Sequence, residues 1–166
     1  PLLDLLRAFL AACSSDEIAR AVDDDASDLA NLLPELSKSI HALVPAQPLE
    51  PEQEKRRLFQ VLAQLFIRLV GPAGDGRKAT PLLVIVEDLH WSDDTSLEFL
   101  LFLARRIKAQ PILLVLTYRS DQVHSGLDHF LGSLARERLP VELSLTPLSI
   151  GEVDAMLRAI FELRRP

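Results

Sequence analysis

The chain has 166 residues, 48% of them hydrophobic and 25% charged, and a formal net charge of −6. That length allows one domain with a real core and little room for a second. The acid excess argues against a nucleic-acid-gripping surface, the single Cys13 rules out an internal disulfide, and no apolar run reaches the roughly 18 residues a bilayer needs.

The chain opens at Pro1 already in an amphipathic pattern and is expected to be an excised piece of a longer polypeptide. Leu2, Leu3, Leu5, Leu6, Phe9 and Leu10 give residues 2–12 the apolar face of a helix. Ser14 and Glu17 have capping-box spacing and open a second short helix. Asp23-Asp24-Asp25 reads as a solvated loop, because adjacent side chains on a turn diverge too far to share a cation. One or two short helices follow over residues 27–43, with His41 on the surface, and the prolines of 45–51 make a connection. Leu58, Val61, Leu62, Leu65, Phe66 and Leu69 then recur at three- and four-residue spacing, which predicts a helix of about 19 residues from Pro51 to Gly71. Residues 1–70 are thus mainly helical. Gly71 to Thr80 holds three glycines and Lys78. A helix precedes it and a strand follows, the reverse of a phosphate-binding loop, so it reads as a mobile surface loop.

Residues 81–161 read as a β-α-β-α-β-α core. Leu82-Leu83-Val84-Ile85-Val86 is an unbroken apolar run, predicting a strand buried on both faces. It meets Glu87-Asp88, whose carboxylates belong where the strand leaves the sheet. Thr95 and Glu98 have capping-box spacing for a helix to about Lys108, with Leu97, Leu100, Leu101, Ala104 and Ile107 toward the sheet. A second strand over 112–117 ends in Tyr118-Arg119-Ser120-Asp121. A helix over 126–137, a third strand over 141–145 and a last helix striped by Val153, Met156, Leu157, Ile160 and Phe161 complete the pattern. The alternation implies right-handed crossovers and a parallel α/β sheet. Parallel strands present their carboxyl ends together, so Glu87, Asp88 and Arg119 are expected to converge on the edge where such sheets bind ligands.

The string from Leu82 through Glu87-Asp88 to Leu89-His90-Trp91-Ser92-Asp93 resembles the Walker B strand and following loop of P-loop NTPases. More specifically it is similar to the AAA-like ATPases of the STAND group, the ATPase domains of large LuxR-type transcriptional regulators and related multidomain regulators. The resemblance implies a partial three-layer P-loop fold over residues 1–166 as a single domain, lying downstream of the Walker A motif. No Gly-x-x-x-x-Gly-Lys-Ser/Thr motif occurs in the sequence. The missing strand would sit beside the one ending at Arg119, leaving a gap before the one at Val141.

The resemblance further implies ATP and Mg²⁺ as cofactors. Glu87 and Asp88 would carry catalysis and hold the metal through water, with Asp88 orienting or deprotonating the attacking water and Arg119 reading the terminal phosphate. Many members carry Asp at the first acidic position, so the division of roles between Glu87 and Asp88 stays open. His90 and Thr117 are lesser candidates, His90 for sensing phosphate and Thr117 for satisfying backbone at the strand end. Trp91 is expected to be a packing anchor beneath the loop, and Tyr118 to pack. Three other uses of these groups stand beside this one. Glu87 and Asp88 as a structural ion pair with Arg119 or Lys78, and Glu87, His90 and Asp93 as a transition-metal site, are the local ones. The third is an unrelated α/β domain with a coincidental acidic strand end.

The implied function is a cytoplasmic regulatory ATPase switch, coupling ATP hydrolysis to signalling or transcription regulation through other domains of the same polypeptide. Oligomers would form on activation, without direct contact to nucleic acid or membrane. A degenerate ATPase-like module acting as a protein-interaction scaffold is the alternative. The isolated chain, lacking a phosphate cradle, is expected to bind ATP weakly and to be inactive.

Overall fold

The computed structural model describes residues 50–70 and 81–161. The expectations for residues 2–43, for the loop from Gly71 to Thr80 and for Lys78 lie outside them. In chain order the elements are α1 (Pro51–Val70), β1 (Leu82–Val86), a 3₁₀ turn at Leu89–Trp91, α2 (Asp94–Ile107) and β2 (Ile112–Leu116). A second 3₁₀ turn at Ser120–Gln122, α3 (Ser125–Arg136) and α4 (Ile150–Ile160) follow. β1 and β2 pair in parallel, Leu82 opposite Ile112 and Val86 opposite Leu116. The α/β class and a partial P-loop NTPase architecture therefore stand.

α1 starts at Pro51, whose missing N–H costs nothing in a first turn. Its Phe59, Leu62 and Phe66 are buried against Phe99 and Leu103 of α2 and Val84 of β1. The Phe59 and Phe99 rings meet edge to face with centroids 5.4 Å apart. A second cluster joins Leu97 and Leu100 of α2 to Leu127, Phe130 and Leu134 of α3, with Leu89 driven into it from the turn after β1. Both clusters lie on the sheet face formed by Leu82, Val84, Val86, Ile112, Leu114 and Leu116.

The opposite face corrects the expectation of a strand buried on both sides. Leu83, Ile85 and Leu113 remain 56%, 52% and 62% exposed. An apolar run shows that a strand is hydrophobic throughout, not how many layers cover it. Here α1, α2 and α3 all take one face.

The third strand expected at 141–145 does not form, and Val141, Leu143 and Leu145 are exposed. Tyr118 Oη donates to Glu142 Oε1 at 2.9 Å, holding this segment near the end of β2. A strand needs a ladder partner, and among the described residues the sheet has only β1 and β2. The apolar stripe of α4 is likewise largely exposed, with Met156, Leu157, Ile160 and Phe161 open to solvent. Its N-terminus is fixed by Ser149 and Glu152, which form a reciprocal capping box.

The cap of α2 differs from expectation. The capping residue is Asp93, whose Oδ1 accepts the Ser96 N–H at 2.8 Å while Oδ2 accepts the Ser96 hydroxyl at 2.9 Å. Glu98, expected to close a box with Thr95, pairs instead with Lys55 of α1 at 3.0 Å. The Ser96 hydrogen bond holds the Asp93 carboxyl below its ordinary pKa of 3.8. A depressed native pKa means that the stabilisation is present above the unfolded value and is lost as pH falls through the native one. Asp93→Ala should therefore cost about 1 kcal/mol at neutral pH. Urea unfolding at pH 7 and at pH 3 should show the difference between variant and parent shrinking at the lower pH.

Candidate functional site

Because β1 and β2 run parallel, their carboxyl ends leave the sheet on one edge. Three hydrogen bonds lock those ends together. Thr117 N–H donates to the Val86 carbonyl at 3.0 Å, Leu89 N–H donates to the Thr117 carbonyl at 2.9 Å, and Asp88 N–H donates to Thr117 Oγ1 at 3.2 Å. The threonine hydroxyl thus satisfies backbone at the strand end, as its position suggests.

Asp88 sits at φ 57°, ψ 47°, in the left-handed region. An L-residue loses about 1–2 kcal/mol there, and Asp tolerates it better than most. This turn breaks the strand direction immediately after Glu87, so Leu89 and His90 enter the core while both carboxylates stay exposed. Asp93 then caps α2. The short path from Val86 to Asp94 is fixed at both ends, by the ladder and by the cap.

On the neighbouring strand end Arg119 is exposed, and its Nε and Nη2 donate to the two carboxylate oxygens of Asp121 at 3.1 and 3.0 Å. That pairing raises the Arg119 pKa, with the field of Asp88 adding to it, and lowers that of Asp121. Asp88 and Arg119 therefore share one electrostatic neighbourhood, and Glu87 lies on the same rim. The close partner of Arg119 is nevertheless Asp121, so the structural ion pair considered between Arg119 and the Glu87-Asp88 pair is not the one that forms.

Of two neighbours, the structure buries the one that the sequence does not single out for packing. Trp91 is 75% exposed, so it is not a packing anchor beneath the loop, and the buried residue is His90. A 3₁₀ turn of three residues has no periodicity from which to read which side chain goes inward. Tyr118 is half-buried against the second core cluster, consistent with packing, and its hydrogen bond to Glu142 raises the phenol pKa. Also unforeseen is the approach of α2 to α3. Any Cβ on Gly126 would collide with Asp94 Oδ1, so the missing side chain lets that carboxylate settle at the first turn of α3.

Among the described residues no three His, Cys, Asp or Glu side chains gather closely enough to hold a metal ion. The transition-metal alternative through Glu87, His90 and Asp93 is thereby set aside: His90 is buried and Asp93 is committed to Ser96. Two exposed carboxylates beside a guanidinium do fit Mg²⁺ that arrives with phosphate. That ion keeps several waters and takes one or two carboxylates from the protein, with substrate phosphates supplying the rest.

The family model for the AAA ATPase domain matches residues 3–115, well over half of the chain. Its span includes Glu87 and Asp88 and stops before Arg119. An uncharacterised protein of Rhizobium meliloti (strain 1021) is 37% identical over 79 residues, which are 48% of this chain and 7% of that protein. The matched part is thus a small fraction of that relative's length. No solved structure matches. Together with the acid-ended parallel strand, the family match removes the unrelated α/β alternative. The chain belongs to the AAA ATPase domain family of nucleotide-binding ATPase modules.

Proposed function

We propose that this chain is the part of a regulatory ATPase switch domain that carries the acidic strand end and the phosphate-reading arginine. The observation that supports it most is the lateral locking of two chemically distinct strand ends. Thr117 ties Asp88 to the strand that ends, two residues on, at Arg119. In this assignment Glu87 and Asp88 hold the hydrated Mg²⁺ of Mg-ATP, a cation that neutralises charge on the β- and γ-phosphates. Asp88 also orients the attacking water, and Arg119 meets the terminal phosphate with its planar fork. The glycine-rich loop that normally cradles phosphates is not in this sequence, so these 166 residues alone are expected to bind ATP weakly.

The switch would act on other domains of the same polypeptide, in the manner of the STAND and LuxR-type regulators that the Walker B string resembles. It would work in the cytoplasm, with oligomerisation on activation.

A second assignment, a degenerate module kept as a scaffold for protein contacts, has one observation in its favour. Arg119 is already paired with a carboxylate of its own strand end. Substituting Glu87→Gln and Asp88→Asn together in the intact protein separates the two. Loss of both ATP turnover and signalling output is expected for the switch, whereas unchanged output would favour the scaffold.

A further inference from the structure

Most of the site lies on the exposed rim, but one polar group beside it does not. The His90 side chain is 1% exposed, and Nδ1 has no hydrogen-bond partner. Buried imidazole nitrogens are ordinarily satisfied, so an orphaned one asks for an explanation. The other nitrogen, Nε2, faces Asp88 Oδ1 at 3.9 Å. The Trp91 ring lies beside it, with centroids 4.9 Å apart.

The backbone around Asp88 is built for the same purpose. The Thr117 hydroxyl takes the Asp88 N–H, the Asp88 carbonyl accepts from Trp91 N–H at 2.9 Å, and the fully buried Leu89 pins the next residue. Among the described residues Asp88 and Arg138 are the non-glycine residues in left-handed backbone, and at Asp88 the carboxylate lies beside His90 Nε2.

We propose that His90 and Thr117 form a two-point clamp that positions the Asp88 carboxylate, Thr117 fixing its backbone and His90 its Oδ1. The inference deepens the nucleotide-site assignment and rests on it. Tautomer chemistry carries the second contact. With the proton on Nε2, the imidazole donates toward Oδ1 and leaves only a bare lone pair at Nδ1. With the proton on Nδ1, a buried donor would be stranded while the Nε2 lone pair faced a carboxylate. The first arrangement leaves fewer groups in conflict. A separation of 3.9 Å is a small carboxylate rotation away from a hydrogen bond, and such contacts tighten once a site is filled. Fixing Oδ1 leaves Oδ2 as the oxygen that faces the rim. His90 touches no substrate in this scheme: it is a positioning residue.

Two readouts test the clamp in the intact protein. His90→Gln places an amide N–H where Nε2 lies, whereas His90→Asn is too short to reach and His90→Leu has no donor. kcat for ATP should fall roughly 10- to 100-fold in His90→Asn and His90→Leu, as when a supporting hydrogen bond is removed. It should largely recover in His90→Gln, with Mg-ATP affinity changing far less than kcat in all three. A merely structural histidine would show no such rescue.

The second readout needs no turnover. In [¹⁵N]histidine-labelled protein, the His90 signals are assigned by their loss in His90→Gln. They should show a protonated Nε2 and a bare Nδ1, and should shift on Asp88→Ala. An Nδ1–H tautomer, indifference to Asp88→Ala, or full activity in His90→Leu would overturn the clamp. A wild-type protein without turnover would instead count against the nucleotide assignment, and the spectra would still decide the clamp.

Discussion

Asp88→Asn in the intact protein is expected to reduce ATP turnover by roughly 10²- to 10⁴-fold, the usual contribution of a positioned acid–base group. The substitution is chosen to change as little else as possible. Asn is among the few residues that accept left-handed backbone, so the φ of 57° is kept at little added cost. The Asp88 N–H still donates to Thr117, since that bond belongs to the backbone. The side chain is 52% exposed, and Asn keeps an Oδ1 that can accept from the buried His90 Nε2, so removing the charge strands no partner. A large fall in kcat with a smaller change in affinity therefore reports chemistry. Unaltered turnover in Asp88→Asn would remove Asp88 from the reaction and move the water-orienting role to Glu87 or outside this chain.

The second large effect is on stability. Phe99→Ala should destabilise the fold by about 3–5 kcal/mol. Phe99 is fully buried where α1, α2 and the sheet meet, and it loses both its transfer energy and its edge-to-face partner Phe59. Domains of this size retain about 5–15 kcal/mol in total, so much of the margin would go. The same helix pair is also joined by the Lys55–Glu98 ion pair, but exposed pairs contribute little, and Glu98→Gln should barely move the unfolding midpoint. Urea denaturation of both variants checks the contrast. A small shift for Phe99→Ala, or a large one for Glu98→Gln, would mean that packing is not what holds α1 to α2.

What could be read from the residues follows the range of the forces involved. α1, β1, α2, β2 and α3 have local signatures, namely apolar spacing, a proline start or an apolar run ended by charge, and their boundaries fall within a residue or two of expectation. The parallel pairing and the meeting of two polar strand ends follow from that alternation through general rules of chain topology.

Long-range partners were not legible. Whether Leu83 and Leu113 are covered depends on which face the helices choose. Whether 141–145 becomes a strand depends on a neighbour to pair with, not on its own alternating Val141, Leu143 and Leu145. The cap of α2 was a contest between Asp93 and Thr95, two residues of suitable chemistry, decided by which side chain reaches the Ser96 N–H. At the site, Glu87, Asp88 and Arg119 were visible as residue types at strand ends. The inward turn of His90 and the outward turn of Trp91 follow the left-handed step at Asp88, which no pattern in the residues announces, and the capture of Arg119 by Asp121 is a local choice of partner at the end of β2.

The most direct measurement is a calorimetric comparison of ATP and ADP binding to the intact protein, with and without Mg²⁺, for the parent, Arg119→Ala and the Glu87→Gln/Asp88→Asn pair. If the two strand ends face one triphosphate, Arg119→Ala should weaken ATP and spare ADP, and the double carboxylate variant should lose the gain that Mg²⁺ brings. Equal losses for ATP and ADP in Arg119→Ala, together with a Mg²⁺ dependence untouched in the double variant, would contradict it.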